Sequence, residues 1–213
     1  MVRKFNRPGG LDTNDVESLL QEEWYHDNVI DQYLKLLESS RTRSRRKKSV
    51  FLPTGFYENL MARGAPRMSF SERHRTKAAH WTKGLDTTHR DAIMFIPVSV
   101  NKNHWILLVV DNSKKEVLSL DSLGFQRSAQ RKNIVQWVEH EHIAKKADFN
   151  KKEWTSQAMI VPQQENNYDC GPFVCLFAAF LSHGKPLDFT QADFPQMRER
   201  LNWSILNFQL ELD

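Results

Sequence analysis

The sequence predicts an α+β fold with a central, mostly antiparallel sheet flanked by helices, on three observations. Helical periodicity occupies both ends of the chain. Short runs rich in Val, Ile, Leu and Phe fill residues 92 to 120, separated by brief polar connectors. Those runs are nearly continuous in apolar residues, as strands covered on both faces by helices are.

Residues 11 to 38 read as helical, with Val16, Leu19, Leu20, Val29, Ile30, Tyr33, Leu34 and Leu37 at three- and four-residue steps. Ser39 to Ser49, polar and basic, breaks that pattern and reads as an exposed loop. Phe56 to Met61 has room for a helical turn or two before Gly64 and Pro66 end it. Residues 67 to 90 are basic and polar around an isolated Trp81, and no pattern assigns them. Strands follow at Ala92 to Val100, Trp105 to Val110 and Val117 to Leu120. Their connectors, Asn101-Lys102-Asn103 and Asp111 to Lys115, are short enough to imply antiparallel neighbours. Residues 128 to 146 form an amphipathic helix through Ile134, Val135, Trp137 and Val138, and residues 156 to 161 a further strand. Cys170 to Ser182 is a strongly apolar helix stopped by Gly184 and Pro186, and a last helix spans Gln191 to Phe208.

A chain of 213 residues, 40% hydrophobic and 26% charged with 13 Phe and 6 Trp, has apolar surface enough for a packed core, which excludes wholesale disorder. One domain over residues 11–213 is expected behind a short tail of residues 1–10, with a basic loop at residues 40–49. The net charge of +4 invites a nucleic-acid reading, but Arg41, Arg43, Arg45, Arg46, Lys47 and Lys48 account for it. Without those six the chain holds 24 basic against 26 acidic residues, and no zinc-finger, RNA-recognition or helix-turn-helix signature accompanies the run. Specific nucleic-acid binding is therefore not expected. Only Cys170 and Cys175 are present, and no apolar stretch follows Arg3, Lys4 and Arg7. A reducing intracellular location, nucleus or cytoplasm, is expected. No run reaches the ~18 apolar residues of a membrane span. Neither the cysteines nor His140 and His142 have metal-ligand spacing, so no metal or other cofactor is expected.

Chemistry concentrates at Tyr168-Asp169-Cys170-Gly171-Pro172-Phe173, where a loop ends and the apolar helix begins. Asp169 is positioned to cap that helix, and Pro172 is tolerated in its first turn. Cys170 then lies at the positive end of the helix, which favours thiolate over thiol. A cysteine nucleophile needs a base, a group that orients the base, and donors for the oxyanion. His104 opens one predicted strand and Asp121 closes the next, so antiparallel pairing brings them together across a spacing of ~4.8 Å. Gln164, six residues before Cys170, offers an amide for the oxyanion beside the backbone N–H of Cys170.

The chain order His104, Asp121, Gln164, Cys170 differs from papain-like enzymes, whose cysteine comes first. It resembles the Ulp/SENP family of ubiquitin-like-protein proteases, relatives of the adenoviral protease. The resemblance is carried by His104-Trp105, Leu120-Asp121-Ser122, Pro162-Gln163-Gln164, Asn166 and Asp169-Cys170-Gly171. It extends through Trp24-Tyr25-His26-Asp27, Trp81-Thr82-Lys83 and Phe95-Ile96-Pro97-Val98, from about Leu11 to about Phe208. The family implies a papain-like cysteine protease superfold with permuted His-Asp-Cys order. It implies His104, Asp121 and Cys170 as a catalytic triad and Gln164 in the oxyanion hole. Trp24 and Trp105 would flank a tunnel for the substrate's carboxy-terminal Gly-Gly, with Asp27 in support. Tyr25, His26 and Pro172 depart from the residues usual in the family. The implied activity is a monomeric protease or isopeptidase acting on SUMO or its conjugates, with NEDD8, ubiquitin or a purely binding role as alternatives.

Overall fold

The computed structural model describes residues 10–21, 23–40, 48–62, 69 and 78–211. Among these, five strands form one mixed sheet in the order β1-β2-β3-β4-β5. They are β1 (Lys48–Phe51), β2 (Ala92–Val100), β3 (His104–Asp111), β4 (Glu116–Leu120) and β5 (Thr155–Ala158). The three middle strands are antiparallel neighbours, as the short connectors require. Each edge strand is parallel to its neighbour.

Strand β3 shows why the apolar runs are continuous. Trp105, Leu107 and Val109 join one core, while Ile106, Leu108 and Val110 join a second on the opposite face. Alternation along the strand thus feeds two buried layers rather than one buried and one wet. The first layer is closed by α1 (Thr13–Leu20), α2 (Asp27–Ser39), α5 (Cys170–Ser182) and α6 (Phe194–Asn207). The second is closed by α3 (Gly55–Met61) and α4 (Ser128–Ala144). Helix α5 is buried at every residue from Cys170 to Ala179, which explains why its sequence is apolar all round. Phe173 stacks on Phe194 at 4.2 Å between ring centroids and fastens α5 to α6.

Three expectations are corrected. The stretch 11–38 is two helices, not one. Asp12 and Asp15 form a reciprocal cap at the start of α1, and the chain turns extended at Gln21. Tyr25, fully buried, is drawn inward between the helices, so the apolar periodicity runs across a real break. The exposed loop read at residues 39–49 ends earlier on both sides: Ser39 closes α2, and Lys48 and Ser49 open β1. Residues 41–47, with five of the six clustered charges, lie outside the described residues. The strand read at 156–161 is β5, over 155–158, and its continuation to Gln164 is irregular. The unassigned stretch up to residue 90 ends in turns over residues 78–91, while residues 70–77 are not described. No described helix is long and apolar enough to cross a membrane.

Candidate active site

His104 is the first residue of β3 and Asp121 follows the last residue of β4. Pairing of Leu107 with Leu120 sets the two side by side at one end of the sheet. His104 Nε2 lies 2.7 Å from Asp121 Oδ1, with both side chains buried. The same carboxylate accepts the Leu123 N–H at 2.8 Å and the Arg127 guanidinium through Nε. Burial opposes ionisation of Asp121, but these donors outweigh it and hold the carboxyl below its usual range. Burial likewise opposes protonation of His104. Hydrogen bonds to Asp121 and Cys170, with the charges behind them, overcome it and raise the imidazole to about 9. The pair is ionic near neutral pH.

Cys170 is the first residue of α5 and is buried. The Trp24 indole Nε1 donates to its Sγ at 2.7 Å, and the thiol is among the groups that raise the His104 imidazole. The close approach depends on Gly171. A Cβ there would sit 2.7 Å from Tyr25 Cβ, inside any tolerable contact, so only glycine lets the helix start pack against the Trp24-Tyr25 segment.

Asp169 does not cap α5, contrary to expectation. Its carboxylate is taken by Arg198 of α6 and by Asn166 Nδ2 at 2.6 Å. A buried guanidinium attracts it more strongly than free amide groups do, and the first-turn N–H groups of α5 stay available. Arg198 also donates to the carbonyls of Gln21 and Glu23 and lies over the Tyr25 ring at 5.2 Å. One buried cation therefore holds both the residue before Cys170 and the residue before Trp24.

Gln164 is buried, and both ends of its amide are fixed. Oε1 accepts from Ser122 Oγ at 2.6 Å and Nε2 donates to Asn166 O at 2.6 Å. Its backbone N–H donates to Ser122 O at 2.9 Å. The second hydrogen of Nε2 is left for another acceptor.

Trp24 and Trp105 meet with centroids 6.1 Å apart and planes inclined by 34°. Trp105 is anchored by Nε1 donating to Tyr25 O at 3.0 Å, whereas Trp24 is only half-buried. A peptide threaded between two rings needs about 7 Å, twice a carbon contact of about 3.5 Å. The two rings as they stand leave less than that between them. Asp27, expected in support of the tryptophan passage, shares a cavity of about 340 Å³ with Trp105, Thr54 and Ser99, and is exposed on the first turn of α2.

Arg127 and Arg198 went unnoticed in the sequence, and Ser122 stood there only as part of Leu120-Asp121-Ser122, because each is an ordinary polar residue until its partner is known. Among the described residues no cluster of three His, Cys, Asp or Glu side chains is placed to hold a metal ion.

Comparison with known proteins places these motifs in a family context. Residues 23–207 match the family described as Ulp1 protease family, C-terminal catalytic domain. Human Sentrin-specific protease 2 is 32% identical over 200 residues, covering 92% of this chain and 32% of that protein. Ubiquitin-like-specific protease 1 of Saccharomyces cerevisiae is 26% identical over 202 residues, covering 94% of this chain and 30% of that protein. The chain thus spans about a third of the length of these relatives. The solved structure of the C-terminal Ulp1 protease domain in complex with Smt3, the yeast ortholog of SUMO, superposes with a TM-score of 0.73 at 28% identity, covering 91% of this chain and 81% of that one. The SUMO protease Ulp1 with its catalytic cysteine oxidised to a sulfinic acid gives 0.76 at 27%, covering 97% and 88%.

Proposed function

The chain belongs to the Ulp1 protease family, and from that membership we propose that it is a cysteine protease that cleaves after the carboxy-terminal Gly-Gly of SUMO, releasing it from lysine amines or from a precursor. The observation that carries this reading is the buried Asp121–His104 hydrogen bond, with His104 electrostatically coupled to Cys170, the first residue of a buried helix.

In the proposed reaction the Cys170 thiolate, paired with the His104 imidazolium, attacks the carbonyl carbon of the terminal glycine. The oxyanion is received by the backbone N–H of Cys170, unpaired at the helix start, and by the free hydrogen of Gln164 Nε2. His104 gives its proton to the departing lysine amine, leaving a thioester on Sγ. Water then enters, gives a proton to His104, and releases the carboxylate. Asp121 orients the ring and stabilises its charged form, while Arg127 holds Asp121. Glycine suits the Trp24 and Trp105 passage because any Cβ would widen a gap that is already narrow.

SUMO carrying a carboxy-terminal electrophile tests this. One covalent adduct is expected with the protein and none with Cys170→Ala; NEDD8 and ubiquitin probes in parallel should react more slowly. Absence of an adduct with all three probes would overturn the proposal, and a faster ubiquitin or NEDD8 adduct would reassign the substrate.

A further inference from the structure

Six large apolar side chains are exposed among the described residues, and three of them, Leu123, Phe125 and Ile160, lie within four residues of Asp121 or Gln164. Single exposed apolar residues are common on any surface, whereas clustering beside a reactive centre marks a contact surface. Ile160 is 98% exposed, Phe125 57% and Leu123 42%.

The two loops that carry them are fastened to each other. Met159 N donates to Ser119 O at 3.0 Å and Gln164 N to Ser122 O at 2.9 Å. Gln163 Nε2 reaches Asp121 O at 3.3 Å. Gly124, at φ +75°, has Gln163 Oε1 only 3.0 Å from where a Cβ would stand, so the loops touch at this turn. Met159 packs on the core and Val161 is buried, and the alternation turns Ile160 outward between them. Phe125 lies on the Arg127 guanidinium at 4.7 Å, directly behind the carboxylate of Asp121. The apolar side chains thus stand on a firmly held platform.

Its position in the sheet indicates what would cover it. The cavity lined by Asp27, Thr54, Ser99 and Trp105 lies on the β1–β2 side of the sheet end, and the tryptophan pair adjoins it. Cys170 and His104 come next, and the Asp121 and Gln164 loops extend from β4 and β5 on the far side. A Gly-Gly tail that passes the tryptophans to reach Cys170 leaves its lysine partner facing those loops.

We propose that Leu123, Phe125 and Ile160 form the docking surface for the leaving polypeptide, gripping apolar side chains that flank its modified lysine. This deepens the isopeptidase reading and rests on it.

The test uses three conjugates of SUMO through the same isopeptide bond: to free lysine, to a short peptide with leucines flanking the lysine, and to one with serines there. The unmodified protein should cleave the leucine conjugate with kcat/KM roughly tenfold above the serine conjugate. Ile160→Ser should reduce that preference, and the triple change Leu123→Ser, Phe125→Ser, Ile160→Ser should abolish it, mainly through KM. The free-lysine conjugate should be cleaved by the Ile160→Ser variant at the unmodified rate, which guards against a folding artefact because Ile160 is almost wholly solvent-exposed. Equal rates on the two peptides, or an equal loss by Ile160→Ser on all three conjugates, would overturn the proposal. If the unmodified protein leaves even the free-lysine conjugate intact, the isopeptidase reading itself falls, and this docking surface with it.

Discussion

Helix α5 carries both cysteines of the chain, five residues apart, in different surroundings. Cys170, at the helix start, meets the His104 imidazole and the Trp24 indole N–H. Cys175, one turn deeper, is completely buried; burial, with the Asp31 charge adding to it, pushes its thiol far above the ordinary range. Both are equally inaccessible by area. On the mechanism proposed above, burial alone does not decide reactivity; the donors and charges beside each sulfur do.

The largest expected effect separates the two sulfurs. Cys170→Ser should lower kcat/KM on a SUMO conjugate by at least about 10⁴-fold. Cys175→Ala should leave it within a few fold and cost roughly 1–2 kcal/mol of stability, read by denaturant unfolding. Iodoacetamide should label one cysteine in the native protein, and mass spectrometry should find the label on Cys170. Labelling of Cys175 at a similar rate would erase the contrast.

Next comes the cation behind the reactive end. Arg198→Met strands the buried carboxylate of Asp169 and releases the carbonyls of Gln21 and Glu23, at a cost of about 3–5 kcal/mol. If Arg198 positions Cys170 and Trp24, kcat should fall more than KM rises, in protein shown by its circular dichroism to be folded. Adding Asp169→Asn should restore stability, by removing the stranded charge, more than it restores kcat. Parallel recovery of both would make the role purely structural.

The pH dependence follows from His104, whose proton is held to about 9 instead of 6.5. A raised folded-state value means its contribution to stability is complete below about 6.5 and is lost as pH rises through about 9. Activity that requires the imidazolium should fall about tenfold per pH unit above that value. Asp121→Asn should move this alkaline limb downward; an unmoved limb would mean that another group controls it.

The smallest effect concerns geometry. Gly171→Ala forces a shift against Tyr25, costing about 1–3 kcal/mol. It should slow Cys170 alkylation severalfold relative to an alanine substitution elsewhere on α5, such as Val174→Ala. Equal slowing by both would deny Gly171 its positional role.

Helix α5 was read correctly to its end residues because its signals are local: apolar composition, a proline in the first turn, and glycine and proline beyond the last. Strands β2, β3 and β4 were legible for the same reason, their runs being long and their connectors short. Edge strand β1 was missed, and β5 was read as a strand at 156–161 but without its true bounds or its parallel partner. Each is four residues long and pairs in parallel with a strand distant in sequence, β1 with β2 across 40 residues and β5 with β4 across 34, so local pattern carried no sign of the partner. The break before Trp24 was masked because Tyr25 is pulled in by α5 and α6, not by anything in its own segment.

What the sequence determined by itself was the inventory and its order: His104 and Asp121 at adjoining strand ends, Gln164 just ahead of a helix that begins with Cys170, and tryptophans at positions 24 and 105. These follow from periodicity, turn chemistry and motif order, all of which act over a few residues. Tertiary structure decided which side chains the buried charges chose. Asp169 took Arg198 in place of its helix, Asp121 took Arg127 as well as His104, and the indole of Trp24 came to rest on the Cys170 sulfur. Such choices depend on which donors survive desolvation next to each acceptor, and that is settled only when segments far apart in the chain are packed together.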